Sequence, residues 1–163
     1  MFTKALNQRQ ANRAFSLIEM LVVIAILLMI TAIGGQSWRQ RTVNQELQSV
    51  ADNLVARLEL ARTNSVTGKG DQNYGVKFNA NSYVSFVGSS YIESNESNQT
   101  HQVDGRLEIS TDIPGTAESV VFSKITGSTN YNHDLTITIS ELKDPDNKIE
   151  VVIGNLGEIS VVK

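Results

Sequence analysis

The chain has 163 residues, 40% of them hydrophobic and 19% charged, with a formal net charge of −3. That length holds one globular domain and one long helical segment, not two full domains. There is no cysteine, which excludes disulfides, thiolate metal sites and cysteine nucleophiles but fixes no compartment, because a domain of this size folds outside the cytoplasm without bridges.

Charge is spread unevenly. Residues 1–14 carry Lys4, Arg9 and Arg13 and no acid, and residues 15–63 balance with four basic and four acidic side chains. Residues 64–163 carry seven Lys or Arg against thirteen Asp or Glu, a net of −6. An acidic domain repels phosphate backbones, so nucleic acid is not an expected partner of the globular part, although a local basic patch is compatible with the total.

In chain order, the short basic start is the kind of flank that stays on the cytoplasmic side of a membrane. Phe15-Ser16-Leu17-Ile18-Glu19 follows, and then an uninterrupted apolar run from Met20 to Ile30. The apolar stretch Leu17–Ile33 has 17 residues, at the short end of what spans a hydrocarbon core of about 30 Å. A secretory signal peptide matches the basic start and the apolar core, but Gly34-Gly35-Gln36-Ser37-Trp38 is a poor small-x-small cleavage site and leads straight into a helical pattern. A plain anchor matches the topology and leaves the acid at position 19 unexplained, since a buried carboxylate is costly unless paired.

The helical period continues past the apolar run. Val43, Leu47, Val50, Leu54, Leu58, Ala61 and Ser65 form one stripe at spacings of three and four, and no proline interrupts residues 15–67. Gly34-Gly35 is the weak point of this helix, and Gly68-Lys69-Gly70 is its stop signal. A helix from 15 to about 67 is roughly 80 Å long, so one half belongs in membrane or protein and the other lies on a domain.

From residue 73 the period changes to two. Tyr74–Phe78 and Tyr83–Val87 around Asn79-Ala80-Asn81 read as a hairpin. Residues 88–105 read as a polar loop. Arg106–Ser110, Ser119–Ser123, Leu135–Ser140, Lys148–Ile153 and Glu158–Val162 read as further strands, about seven in all. Turns are expected at Asp112–Gly115 and Asp144–Asn147. No internal repeat is visible.

Ala14-Phe15-Ser16-Leu17-Ile18-Glu19, with the apolar Met20–Ile26 behind it, resembles the N-terminal signal of type IV prepilins and type II secretion pseudopilins. That signal has a short basic leader, a small residue before the cut, an aromatic residue after it, a glutamate at the fifth mature position and an apolar helix. The resemblance implies cleavage between Ala14 and Phe15 by a membrane prepilin peptidase and N-methylation of Phe15 by the same enzyme. The family usually has glycine where this chain has Ala14. The run Leu54–Ser65 and the closing Gly157-Glu158-Ile159-Ser160 are similar to the GspH/FimT-type minor pseudopilins. The implied fold is α+β, the type IV pilin fold, with a long N-terminal helix packed on antiparallel sheet.

The implied organisation is a leader at 1–14, a transmembrane and assembly half of the helix at 15–38, an amphipathic half at 39–67 and a β-rich globular domain at 68–163. The implied role is structural: a subunit of an extracytoplasmic pilus or pseudopilus. It waits in the cytoplasmic membrane as a single-pass protein among lipid, with its globular domain outside, and then joins the filament. The implied partners are other pilin or pseudopilin subunits, the prepilin peptidase and the inner-membrane assembly platform. Removing the leader frees an α-amine on Phe15, and Glu19 of a neighbouring subunit would neutralise it inside the bundle, each charge being costly alone. The competing account is that Glu19 sits at the membrane surface and reaches water.

The rival from another class is a single-span, membrane-anchored extracytoplasmic binding domain that does not polymerise. No enzyme is expected, because the chain has no phosphate loop, no serine elbow and no nucleophile–base spacing. No cofactor or metal is expected either. His101 and His133 lie in polar stretches without ligand-spaced partners, and Asp144-Pro145-Asp146-Asn147 lacks the glycine and the bidentate acid of a calcium loop. Asn95-Glu96-Ser97 and Asn98-Gln99-Thr100 match the glycosylation sequon by composition.

Overall fold

The structure, a computed structural model, describes residues 16–114 and 118–162, with the side chains of 32–40 outside the description. The chain divides into two compact units, Met1–Arg39 and Gln40–Lys163. The leader 1–14 lies outside the described residues.

A single α-helix, α1 (Leu17–Val66), runs through the whole stretch of helical periodicity. Its backbone starts at Ser16, whose carbonyl accepts from the amides of Glu19 (3.0 Å) and Met20 (3.3 Å). Gly34-Gly35, expected to be a weak point, lies within the continuous helix. Two glycines cost about 1 kcal/mol each relative to alanine, and a long cooperative helix absorbs that where no proline removes a backbone donor. In the apolar segment the hydroxyl of Thr31 donates back to the carbonyls of Leu27 and Leu28, both at 3.0 Å. Its polarity is thereby satisfied within the helix itself.

In the second unit α1 buries one face. Val43, Leu47, Ala51, Leu54, Leu58, Ala61 and Ser65 are all buried. Val50, one of the residues expected in the stripe, is half-buried at its margin and Ala51 takes the inner place. The helix ends where the glycines predicted: Gly68 takes the left-handed conformation, with φ of 65°, which costs glycine little.

Among the described residues, eight strands follow a 3-10 turn at Lys69–Asp71: β1 (Tyr74–Asn79), β2 (Ser82–Val87), β3 (Gln99–Gln102), β4 (Leu107–Thr111), β5 (Ser119–Phe122), β6 (Leu135–Glu141), β7 (Asp144–Ile153) and β8 (Ile159–Val162). They form two four-stranded sheets, ordered β3-β2-β1-β5 and β4-β6-β7-β8. Every named pairing is antiparallel. One core joins the helix stripe to Val76, Phe78, Val120 and Phe122 of the first sheet and to Leu107, Ile137, Ile139, Val151 and Ile153 of the second.

Two details depart from the sequence expectation. The polar loop 88–105 contains β3, which pairs with β2 from Ser85↔Gln99 to Ser82↔Gln102. Gln-Thr-His-Gln carries no alternation because both faces of this edge strand are largely exposed. The turn expected at Asp144–Asn147 falls instead at Leu142-Lys143, and β7 begins at Asp144. Pro145 is tolerated there because the start of a strand needs no ladder donor.

Close packing shows at Gly75, the second residue of β1. A Cβ there would lie 2.5 Å from the Phe86 ring and 2.6 Å from the Val120 carbonyl. Polar contacts set the register of helix on sheet. Arg106 pairs with Glu46 of α1 and, at 2.9 Å, with Asp104. Asn147 donates to Asn44 of α1 (2.9 Å) and to the buried Glu141 (3.1 Å). Exposed pairs of this kind contribute little stability, so the apolar core carries the fold.

A protein beginning at Gln40 is expected to fold on its own and to unfold cooperatively in urea. Leu58→Ala in that background should cost about 2–5 kcal/mol with an unchanged m-value. Absence of a cooperative transition in the parent fragment would place the domain boundary elsewhere.

Candidate functional site

The first unit presents an unusual surface. Every described side chain from Ser16 to Thr31 is exposed, including Leu17 at 82% and Met29 at 69%. A contiguous apolar surface of this extent on a protein marks a place covered by membrane or by another chain. Among the described residues no helix is long and apolar enough to cross a membrane. The span expected at Leu17–Ile33 runs past Thr31 into side chains outside the description.

Glu19 is the one charged residue between Ser16 and Thr31, in the first turn of α1. Two local effects favour an acid there. Ser16-x-x-Glu19 has the spacing of a capping box, and the positive end of the helix dipole suits a carboxylate. Neither Ser16 nor Glu19 makes a side-chain hydrogen bond or ion pair among the described residues, however, so the carboxylate remains open to a partner outside them. Ala14 and Phe15, the expected cleavage and methylation positions, lie outside the described residues.

The other sequence candidates resolve into structural roles. His101 stacks on Tyr83 with ring centroids 5.0 Å apart. Burial, and after it the positive charge of Arg57, hold its pKa below the ordinary histidine value. His133 meets the Tyr131 ring edge-on at 6.0 Å. No group of three or more metal-ligating side chains occurs among the described residues. Asp144 and Asp146 are exposed on β7. In the sequon pair, Asn95 accepts from the Ser97 amide (2.9 Å), and the Asn98 amide is engaged with the Ile92 carbonyl (2.9 Å).

One feature escaped the sequence. A cleft of about 380 Å³ opens between the last turns of α1, the β1–β2 hairpin and the segment leading into β3. Arg57 and Asn64 come from α1, Lys69 from the 3-10 turn, Ser85 and Phe86 from β2, and Gln99 from β3. These residues lie up to about forty positions apart in sequence and share no spacing motif, so only the fold assembles them.

Residues 9–35 match the family described as the prokaryotic N-terminal methylation motif. No curated protein matches the chain by sequence. Among solved structures, the chain is similar to the type IV minor pilin FimU of Pseudomonas aeruginosa. In one crystal form the TM-score is 0.59 at 19% identity, over 75% of this chain and 92% of that one. A second crystal form scores 0.56, also at 19% identity, over 72% and 93%. It is also similar to EpsH, the minor pseudopilin of the Type 2 Secretion System of Vibrio cholerae, with a TM-score of 0.55 at 14% identity over 72% and 96%. These likenesses bear on fold, and the fold is the α+β arrangement expected from the sequence. The chain thus carries a prokaryotic N-terminal methylation motif over residues 9–35, and its fold is similar to that of these minor pilins and pseudopilins.

Proposed function

We propose that this chain is a structural subunit, of the minor kind, of an extracytoplasmic type IV pilus or type II secretion pseudopilus. The observation that carries this reading is the N-terminal helix, apolar and exposed from Leu17 to Ile30 except for Glu19, which has no partner among the described residues. A helix apolar all round is stable only when lipid or other helices cover it. Before assembly the cover is the lipid of the cytoplasmic membrane, with the globular domain on the far side. After assembly it is the helices of neighbouring subunits.

Prepilin peptidase cuts between Ala14 and Phe15 and methylates the new N-terminus. The amine on Phe15 then meets Glu19 of an adjacent subunit. Inside an apolar bundle either charge alone is penalised and the pair is tolerated, so the pair selects one axial stagger. The role is structural rather than catalytic. Force and nucleotide hydrolysis come from the inner-membrane assembly platform.

Intact-mass measurement and N-terminal sequencing of the protein from native membranes should find N-methylated Phe15 as the first residue. Retention of residues 1–14 would make the chain an anchored domain that does not polymerise. Ala14→Gly should be processed at least as fast as the native sequence in a pulse-chase assay. Glu19→Ala should be inserted and cleaved normally yet be missing from sheared filaments, and normal incorporation of that variant would sink the charge-pair mechanism.

A further inference from the structure

We propose that the cleft between the C-terminal turns of α1 and the β1–β2 hairpin binds a short acidic peptide segment, taking a carboxylate at its cationic side and an adjacent apolar side chain against its wall. The inference goes beyond filament assembly and does not depend on Glu19 or on processing.

The first argument is charge. Arg57 and Lys69 both line the cleft, and no Asp or Glu does. Most other cations of the globular unit are engaged. Arg106 pairs with Glu46 and Asp104, Lys124 with Asp71 and Lys148 with Glu150. Arg62 donates to the Leu156 carbonyl, and Lys77 lies over the Tyr91 ring. Among the described residues neither Arg57 nor Lys69 has an acidic partner or a side-chain hydrogen bond. Two uncompensated cations thus face one cleft, in a protein whose residues 64–163 carry a net of −6.

The second argument is hydrogen bonding. Ser85 is among the lining residues, though its hydroxyl is itself shielded from solvent and has no hydrogen-bond partner among the described residues. Asn64 and Gln99 add amide donors to the same lining. The set supplies charge-assisted and neutral donors together, which is what a carboxylate takes.

The third argument selects among anions. Leu60, 49% exposed, and Phe86 give the cleft an apolar wall. A bare inorganic anion would leave that wall wet. A long polyanion such as nucleic acid would extend over the acidic remainder of the domain and be repelled. A volume of about 380 Å³ lies at the small end of ligand pockets and matches one or two residues of a peptide.

The test is an NMR titration of the isotope-labelled full chain in neutral detergent micelles at low salt. The probe is N-acetyl-Leu-Glu-Leu amide, and its Leu-Gln-Leu counterpart and sodium acetate serve as comparisons. Saturable shifts are expected for the side-chain amides of Asn64 and Gln99. Affinity should fall by about tenfold or more for the neutral peptide and for the double variant Arg57→Gln/Lys69→Gln. The ring resonances of the stacked Tyr83 and His101 pair report whether that variant remains folded. Lys69→Glu, at an exposed position, gives a second reading with the same expected loss. No saturable shift, equal binding of the neutral peptide, undiminished binding by both variants, or an acetate affinity equal to that of the peptide would each overturn the proposal.

Discussion

The structure depends on how the apolar surface of one helix is covered. Along α1 the same backbone carries two distributions of side chains. From Leu17 to Ile30 the apolar residues are exposed all round, and from Val43 to Ser65 most of them line one buried face, with Leu60 outside it. The second distribution is solved within the chain, because two antiparallel sheets supply the other half of a core that includes Leu47, Leu54, Leu58, Phe78, Phe122 and Ile137. Among the described residues nothing covers the first. Burial of apolar area is the dominant favourable term in folding and association alike, so that surface favours a cover of lipid or of other protein, which is the basis of the proposed filament role.

Within the globular unit the end of the helix is a point of attachment for several loops. Ser65 is fully buried. Its hydroxyl accepts from the Tyr74 amide at 3.0 Å, and its carbonyl accepts from Gly68 and Ile125, both at 3.1 Å. One residue therefore ties the helix to the first strand and to the turn after β5. Ile125 adopts a φ of 73° there, which a β-branched residue takes only when its surroundings impose it.

Glu19 and the cleft illustrate two ways in which a protein leaves charge open to partners. Glu19 is the one charged residue between Ser16 and Thr31 and has no ion-pair partner among the described residues. Arg57 and Lys69 stand together on a polar domain whose remaining cations are mostly engaged. The first arrangement fits the proposed recognition between like subunits, in which cleavage before Phe15 would supply the amine. The second fits recognition of a different chemical group, a carboxylate brought by another segment.

How much the sequence alone could decide follows from the range of each interaction. The helix, its apolar stripe, its stop at Gly68, the β1–β2 hairpin and the acid within the apolar run are local patterns. Their physical causes act over a few residues, so they are legible from spacing. Strand β3 was not legible, because Gln99–Gln102 is held by hydrogen bonds to β2 on an exposed edge and buries no apolar face that would write a period into the sequence. The start of β7 was misplaced for a related reason: pairing of Glu141 with Asp144 around Leu142-Lys143 outweighs the turn propensity of an Asp-Pro pair. The cleft was invisible, since Arg57, Lys69 and Ser85 acquire a common purpose only when the hairpin folds back across the helix. Local propensity and hydrophobic period thus determined which segments exist, and long-range pairing and packing decided which of their side chains meet.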